Sequence, residues 1–259
     1  MKRLYLITIF LSIAPCFGLV AQDKELTMNE KIGINNLKDH VTYKRKEAVA
    51  KHIIFPLKRC SYFDFYIKDQ QDFINSFDII FDDKQIESFR TSKWKYIFFP
   101  TYGYYSLQGG GYVGGFDDEG KLLLSTISLS ESEKKYIQAL IEKEKTTLHA
   151  SIRNYKEPVC VILAGKYRIR IDRMPDNTLR YCSWNREKDI SAQPDLVIYG
   201  GREWGNSWGD NYRFKNGEYE YYLEDYIVSD NGPIFTVRKN GIDILTIDSD
   251  VTVTYYRIP

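Results

Sequence analysis

The chain has 259 residues, with 36 basic and 35 acidic side chains mixed along its length, a formal net charge of +1 and 15% aromatics, 21 of them Tyr. With no strong field of either sign, it is not built to attract nucleic acid or an anionic membrane surface. The length suits two domains, and the aromatic load favours strands.

The chain opens MKRLYLITIFLSIAPCFGLVAQDK. A basic pair, an apolar run from Leu4 to about Ala14, and small residues before a polar start give residues 1–21 the layout of a secretory signal peptide. The run is short for a membrane span of roughly 20 residues, and no later segment supplies one. An exported protein is expected, periplasmic or extracellular, without membrane insertion. Pro15 ahead of Cys16 disfavours lipidation there. Loss of Lys2 and Arg3 with the leader takes the charge to about −1.

Residues 22–45 show no clear period and read as a flexible lead-in. From Arg45, KEAVAKHIIF predicts a short helix that Pro56 converts to extended chain. In IKDQQDFINSFDIIFDDKQIESF, Asp69 suits an N-cap, and Phe73, Ile74, Phe77, Ile80 and Phe81 form one apolar stripe. A second short helix is expected to start at Asp82 or Asp83. From Trp94, KYIFFP, YGYYSL, GGYVGGF and KLLLSTISL predict strands of an antiparallel sheet. Ser130 and Glu133 form a capping-box pattern ahead of a helix whose buried face holds Tyr136, Ile137, Leu140 and Ile141. Residues 46–150 are thus predicted to be an α+β domain, with helices packed on a curved antiparallel sheet.

Residues 151–259 carry no helical period and read as an all-β domain. Runs such as VCVIL, YRIRIDRM, TLRYCSW, PDLVIYG, EYEYYLEDYIV, IFTVR, IDILTI and VTVTYYRI are separated by turns at Pro175–Asn177, Asn216-Gly217, Asn231-Gly232 and Asn240-Gly241. Asn-Gly between alternating runs is a strong hairpin signal, because both central residues need positive φ. Roughly eight short strands imply an antiparallel sandwich or small barrel.

Gly109-x-Gly111-x-x-Gly114 spells the dinucleotide-binding fingerprint, but that motif must follow a parallel strand and open a helix. Here an acidic turn over 117–120 and another strand follow, so the glycines are expected to shape a sheet. His40, His52 and His149 make no H-E-x-x-H and no pair at ligand spacing, and there is no Cys-x-x-Cys. No metal and no cofactor are therefore expected. No G-x-S-x-G occurs, and the acidic clusters Asp82-Asp83 and Asp117-Asp118-Glu119 fall in caps and turns, so no catalytic residue is assigned. Of the cysteines beyond the leader, Cys60, Cys160 and Cys182, the last two are the favoured disulfide pair. Spacing leaves that pairing open, since a hairpin turning at Pro175–Asn177 would set Cys182 opposite about Ile171.

The stretch YGGREWGNSWGDNYRF over 199–214 places Trp204 and Trp208 in a Gly-, Asn- and Ser-rich loop. Large aromatics in a loop pack or bind. With Arg202, Asn206 and Asp210 beside them, they could stack a sugar ring or anchor a protein partner. Alternatively, they fold back as a lid on the end of a barrel.

The first half, from FPLKR through IKDQQDFINSFDIIFDDKQIESF to the Trp-initiated sheet, is similar to cystatin-like and NTF2-like α+β domains. With YRIRIDRMPDNTLRYCSW and the later β runs behind it, the chain resembles uncharacterised exported bacterial proteins that join such a domain to a β-rich one. The resemblance implies a curved sheet with a pocket. The strands from Trp94 to Leu129 carry aromatic and aliphatic residues rather than the Asp or His base of NTF2-like enzymes, which favours binding. The expected function is a non-enzymatic binding or inhibitor-like protein of the cell envelope, its partner a glycan or an envelope protein. The alternatives are a hydrolase acting on polysaccharide or cell wall, and a periplasmic immunity protein.

Overall fold

The computed structural model of the chain describes residues 24–60, 62–63, 65–99, 104–206, 209–224, 233–248 and 251–254. The expected leader, Trp208 and the Asn231-Gly232 turn lie outside the described residues. The fold is mixed α+β, and among the described residues no helix is long and apolar enough to cross a membrane.

Helix α1 (Met28–Thr42) opens on a capping box in which Thr27 and Glu30 each accept the other's amide. It buries Ile34, Leu37 and Val41. This corrects the expected flexible lead-in: three apolar residues at three- and four-residue spacing suffice for a buried stripe. The polar residues around them dilute the period. Helix α2 (Lys46–Ala50) leads into the two-stranded ladder of β1 (Leu57–Cys60) and β2 (Phe65–Ile67).

Helices α3 (Gln70–Ile80) and α4 (Asp83–Thr91) start as expected at Asp69 and Asp82, whose carboxylates accept from the Asp72 and Gln85 amides. An acidic N-cap satisfies amides that have no helical partner and complements the positive end of the helix dipole. Phe73, Phe77, Phe81, Phe89, Trp94 and Tyr112 then run through the core as one chain of ring contacts, with centroids 4.6–6.3 Å apart.

Strands β3 (Lys95–Phe99), β4 (Tyr104–Gly109), β5 (Tyr112–Phe116) and β6 (Leu122–Ile127) form an antiparallel sheet in that order. The glycine fingerprint is its β4–β5 hairpin. Gly110 and Gly111 sit at φ 59° and 88°, the two positive values of a tight turn, and a Cβ on Gly114 would lie 2.3 Å from the Leu123 carbonyl oxygen. No helix follows. Helix α5 (Glu131–Thr147) then opens on the expected capping box, Ser130 with Glu133.

Among the described residues, the strands that follow form one nine-stranded antiparallel sheet. It meanders through β7 (Glu157–Ala164), β8 (Tyr167–Arg173), β9 (Leu179–Asn185), β10 (Leu196–Asn206), β11 (Gly209–Asn216), β12 (Tyr219–Glu224), β13 (Ile234–Lys239) and β14 (Ile242–Ile247). The chain then crosses to the far edge, where β15 (Val251–Thr254) pairs with β7. Ile247, at the end of β14, comes against Gly165 in the β7–β8 turn, and the sheet curls into a nearly closed barrel. The expected turns carry positive φ at Asn177, Gly217, Asn240 and Gly241. Cys160 faces the barrel core and Cys182 the opposite face, with β8 between their strands, so the favoured disulfide does not form.

Alternation along β8 and β9 sends Ile169, Ile171 and Tyr181 inward and Arg170, Asp172 and Arg180 outward. Those outward charges are not solvated. Helix α5 and the loops around Tyr62 and Tyr155 cover them, so Glu144, Arg170, Asp172 and Arg180 all have side chains 0–1% exposed. The Arg170 guanidinium donates to both Glu144 oxygens at 2.7 and 3.1 Å and to Asp172 at 2.7 Å. Arg180 donates to the other Asp172 oxygen and to the Ile152 carbonyl, each at 2.6 Å. The Tyr62 and Tyr155 hydroxyls donate to Glu144, one to each oxygen. Burial would lower the Arg170 pKa, but Asp172, Tyr62 and Glu144 outweigh it and hold the guanidinium above its ordinary value.

Removing one member strands the others in a dry interior. Glu144→Ala is expected to cost about 3–5 kcal/mol of unfolding free energy, the range for breaking a buried ion pair. In urea unfolding, the double variant Glu144→Ala/Arg170→Met should lose less than the sum of the two single variants. Strict additivity would mean that the two side chains act independently.

Candidate functional site

One end of the barrel holds a cavity of about 630 Å³. Period-two alternation points Tyr167, Tyr181, Ser183, Tyr219, Tyr221, Phe235 and Val237 towards it from β8, β9, β12 and β13. The curl of the sheet brings together rings that are far apart in strand order. Tyr181 on β9 meets Tyr221 on β12 at 5.4 Å between centroids, and Tyr167 on β8 meets Phe235 on β13 at 6.1 Å. Deeper in, Ile169, Ile171, Phe214 and Leu223 fill the barrel. Phe214 fits because position 201 is glycine: a Cβ there would come within 2.1 Å of its ring.

Four phenols stand among the polar groups of the cavity, with Lys166, Ser183, Asn185 and Asp195. Burial pushes the Tyr181 hydroxyl well above its ordinary value; the Ser183 hydroxyl offsets part of this, and the nearby Tyr221 and Tyr167 add to it. Burial, followed by Tyr219 and Tyr167, likewise raises Tyr221. Both phenols therefore stay protonated as neutral donors and acceptors through the physiological range. At the rim, Lys166 lies 5.5 Å from the centre of the Tyr167 ring. Asp195 is held below its usual carboxylate range by Lys188 and by the Asn185 amide. Such a wall, aromatic with a few polar groups, is what small-molecule sites present.

The residues singled out in the sequence lie elsewhere on the sheet. The stretch 199–214 is not a loop but mostly the β10–β11 hairpin, with Arg202 opposite Arg213, Trp204 opposite Asn211, Gly205 opposite Asp210 and Asn206 opposite Gly209. Gly200, at φ 77° in a register shift between Tyr199 and Gly201, lets β10 bend without ending. Glycine and asparagine, read as loop formers, here serve a bulge and a hairpin. Trp204 is 41% exposed and meets the edge of Tyr222 at 6.2 Å between centroids. Arg213 and Arg238 lie over the Tyr222 ring at 5.5 and 4.5 Å. Arg202 is exposed on the same hairpin. Trp204 and Arg202 thus share an exposed face, while the tyrosines of the cavity went unassigned in the sequence. The signal that finds them is the alternation in YEYYLE and YRIRI, which puts Tyr219 and Tyr221 on one face of β12 and Tyr167, Ile169 and Ile171 on one face of β8, both turned inward.

Comparison with known proteins gives no match: no protein-family model, no curated protein and no solved structure aligns with this chain.

Phe214→Ala should cost about 3–5 kcal/mol, the range for emptying an aromatic site in a core. Trp204→Ala should cost about 1 kcal/mol, little more than one exposed ring pair. Chemical denaturation of the two variants checks the contrast, and an equal loss in both would mean that Trp204 packs as core.

Proposed function

We propose that this chain is an exported, non-enzymatic binding protein that holds a small amphipathic molecule in the cavity of its barrel-like sheet. The observation that carries the reading is the convergence of Tyr167, Tyr181, Tyr219 and Tyr221 on one open space of about 630 Å³. A space of that size takes a drug-sized ligand. The ring faces would stack on a flat apolar body, and the hydroxyls would bond its polar head. Phenols held protonated, and an Asp195 already engaged by Lys188, suit holding a ligand better than moving its protons. Export rests on the leader, Lys2-Arg3 followed by the apolar run from Leu4.

The exposed Trp204, beside Arg202 and close to the cations over Tyr222, favours a second contact surface on the β10–β11 hairpin. An aromatic flanked by guanidinium groups suits a glycan ring or a protein of the cell envelope. Asn206 and Asp210 stand near its tip in the ladder.

The cavity is tested with the secreted, purified chain and the fluorescent probe anilinonaphthalene sulfonate. Saturable one-to-one binding is expected, weakened at least about tenfold by Leu196→Trp, which sets an indole into the cavity wall beside Ser183, while circular dichroism stays unchanged. Equal binding by the two proteins would overturn the assignment. Trp204→Ala should leave probe binding intact and reduce retention on an envelope glycan or protein fraction, which separates the two surfaces.

A further inference from the structure

A second cleft, of about 430 Å³, lies between helix α1 and the β5–β6 turn. Asn29, Gly33, Asn36 and His40 line it from one face of α1, at spacings of three and four residues. Glu119 and Lys121 come from the turn, and His52 from the segment after α2. Twelve positions apart in sequence, the two histidines meet here, with ring centroids at 5.9 Å and planes inclined by 54°.

One nitrogen of each ring fixes how that ring is held. His52 Nδ1 is 2.6 Å from the Leu122 carbonyl oxygen. A carbonyl only accepts, so the proton sits on Nδ1 and the lone pair on Nε2. Metal-ligating histidines are held in this way, with one nitrogen donating to a backbone carbonyl and the other turned to the ion. His40 Nδ1 is buried and has no hydrogen-bond partner among the described residues. A buried polar atom without a partner calls for an unseen water or ion.

We propose that His40 and His52 form a two-imidazole site for a divalent transition-metal cation of the zinc or copper type, with water completing the coordination. Imidazole nitrogens suit such ions. A metal–nitrogen distance of about 2.0–2.1 Å puts two ligating ring centres roughly 5–6 Å apart, which the observed separation meets. Burial, ahead of Lys121 and His40, lowers the His52 pKa, while the Leu122 carbonyl and Asp117 oppose it. The ring is therefore neutral at pH 7, as a ligand must be. No group of three His, Cys, Asp or Glu among the described residues forms a complete cage. The site is thus open and exchangeable, with Glu119 and Lys121 at the cleft as the nearby charges. This revises the expectation that the chain binds no metal, which rested on spacing within single elements.

The experiment uses the full secreted chain stripped with a chelator. Zinc titrated by calorimetry should bind one-to-one, and cobalt should give a visible d–d band. His40→Ala, a partly exposed change, should weaken zinc by about tenfold or more and abolish the band, while His149→Ala should change neither. His52→Gln should repeat the loss. Absence of saturable binding, equal binding of magnesium, or unchanged zinc affinity in His40→Ala would each overturn the site.

Discussion

Helix α5 carries two fully buried glutamates, and the placement of the helix depends on how they are neutralised. Glu133 and Glu144 are eleven residues apart, close to three turns of helix, so they stand on one face. Near the helix N-terminus, Arg59 of β1 grips Glu133 with two bonds of 2.5 Å and donates to the Ile127 carbonyl at 2.6 Å. Towards its other end, Arg170 of β8 grips Glu144. A carboxylate buried without a partner is so unfavourable that few dockings of α5 are allowed, and both bidentate pairs must form together. Apolar packing from Ile141, Leu148 and Ile152 would tolerate sliding, whereas two guanidinium forks do not.

The same contact explains how β8 and β9 serve two purposes. Their outward residues, Arg170, Asp172 and Arg180, complete the network under α5, while their inward residues, Ile169, Ile171 and Tyr181, line the barrel. Strand alternation makes this division possible without extra chain. Because the network ties the outer face of β8 and β9 to α5, Tyr62 and Tyr155, the inner face of these strands is fixed as well. The cavity wall formed by Tyr167 and Tyr181 therefore inherits its position from ion pairs on the other side of the sheet.

Local chemistry made much of this fold legible in the sequence. Asp69, Asp82 and the Ser130–Glu133 pair cap helices because of what their side chains accept, and Asn240-Gly241 turns a hairpin because both residues tolerate positive φ. Features set by distant partners were hidden. YRIRIDR reads as a strand with one solvated polar face, since nothing in it announces that Glu144 will arrive to cover Arg170. Helix α1 was masked because only Ile34, Leu37 and Val41 face the core amid polar residues. The hairpin that carries Trp204 reads as a loop in the sequence, because Gly200 and Gly201 act through a bulge and through room for Phe214. His40 and His52 belong to different elements, so no linear spacing could join them.

The distribution of polarity inside the barrel supports a ligand at its open end rather than unfinished packing. Deep in the barrel the core is built mainly from Ile169, Ile171, Phe214 and Leu223, with Tyr181 and Tyr212 in the same cluster. Towards the cavity the inward positions carry Tyr167, Tyr181, Tyr219, Tyr221 and Ser183 beside Phe235 and Val237. At position 181, which is buried, phenylalanine would pack equally well and avoid the cost of burying a hydroxyl. Tyr181 is 3% exposed, and its hydroxyl has Ser183 as a hydrogen-bond partner with Tyr221, Tyr167 and Cys182 nearby. Hydroxyls gathered on one side of an otherwise aromatic and aliphatic wall are the physical argument for the ligand proposed above.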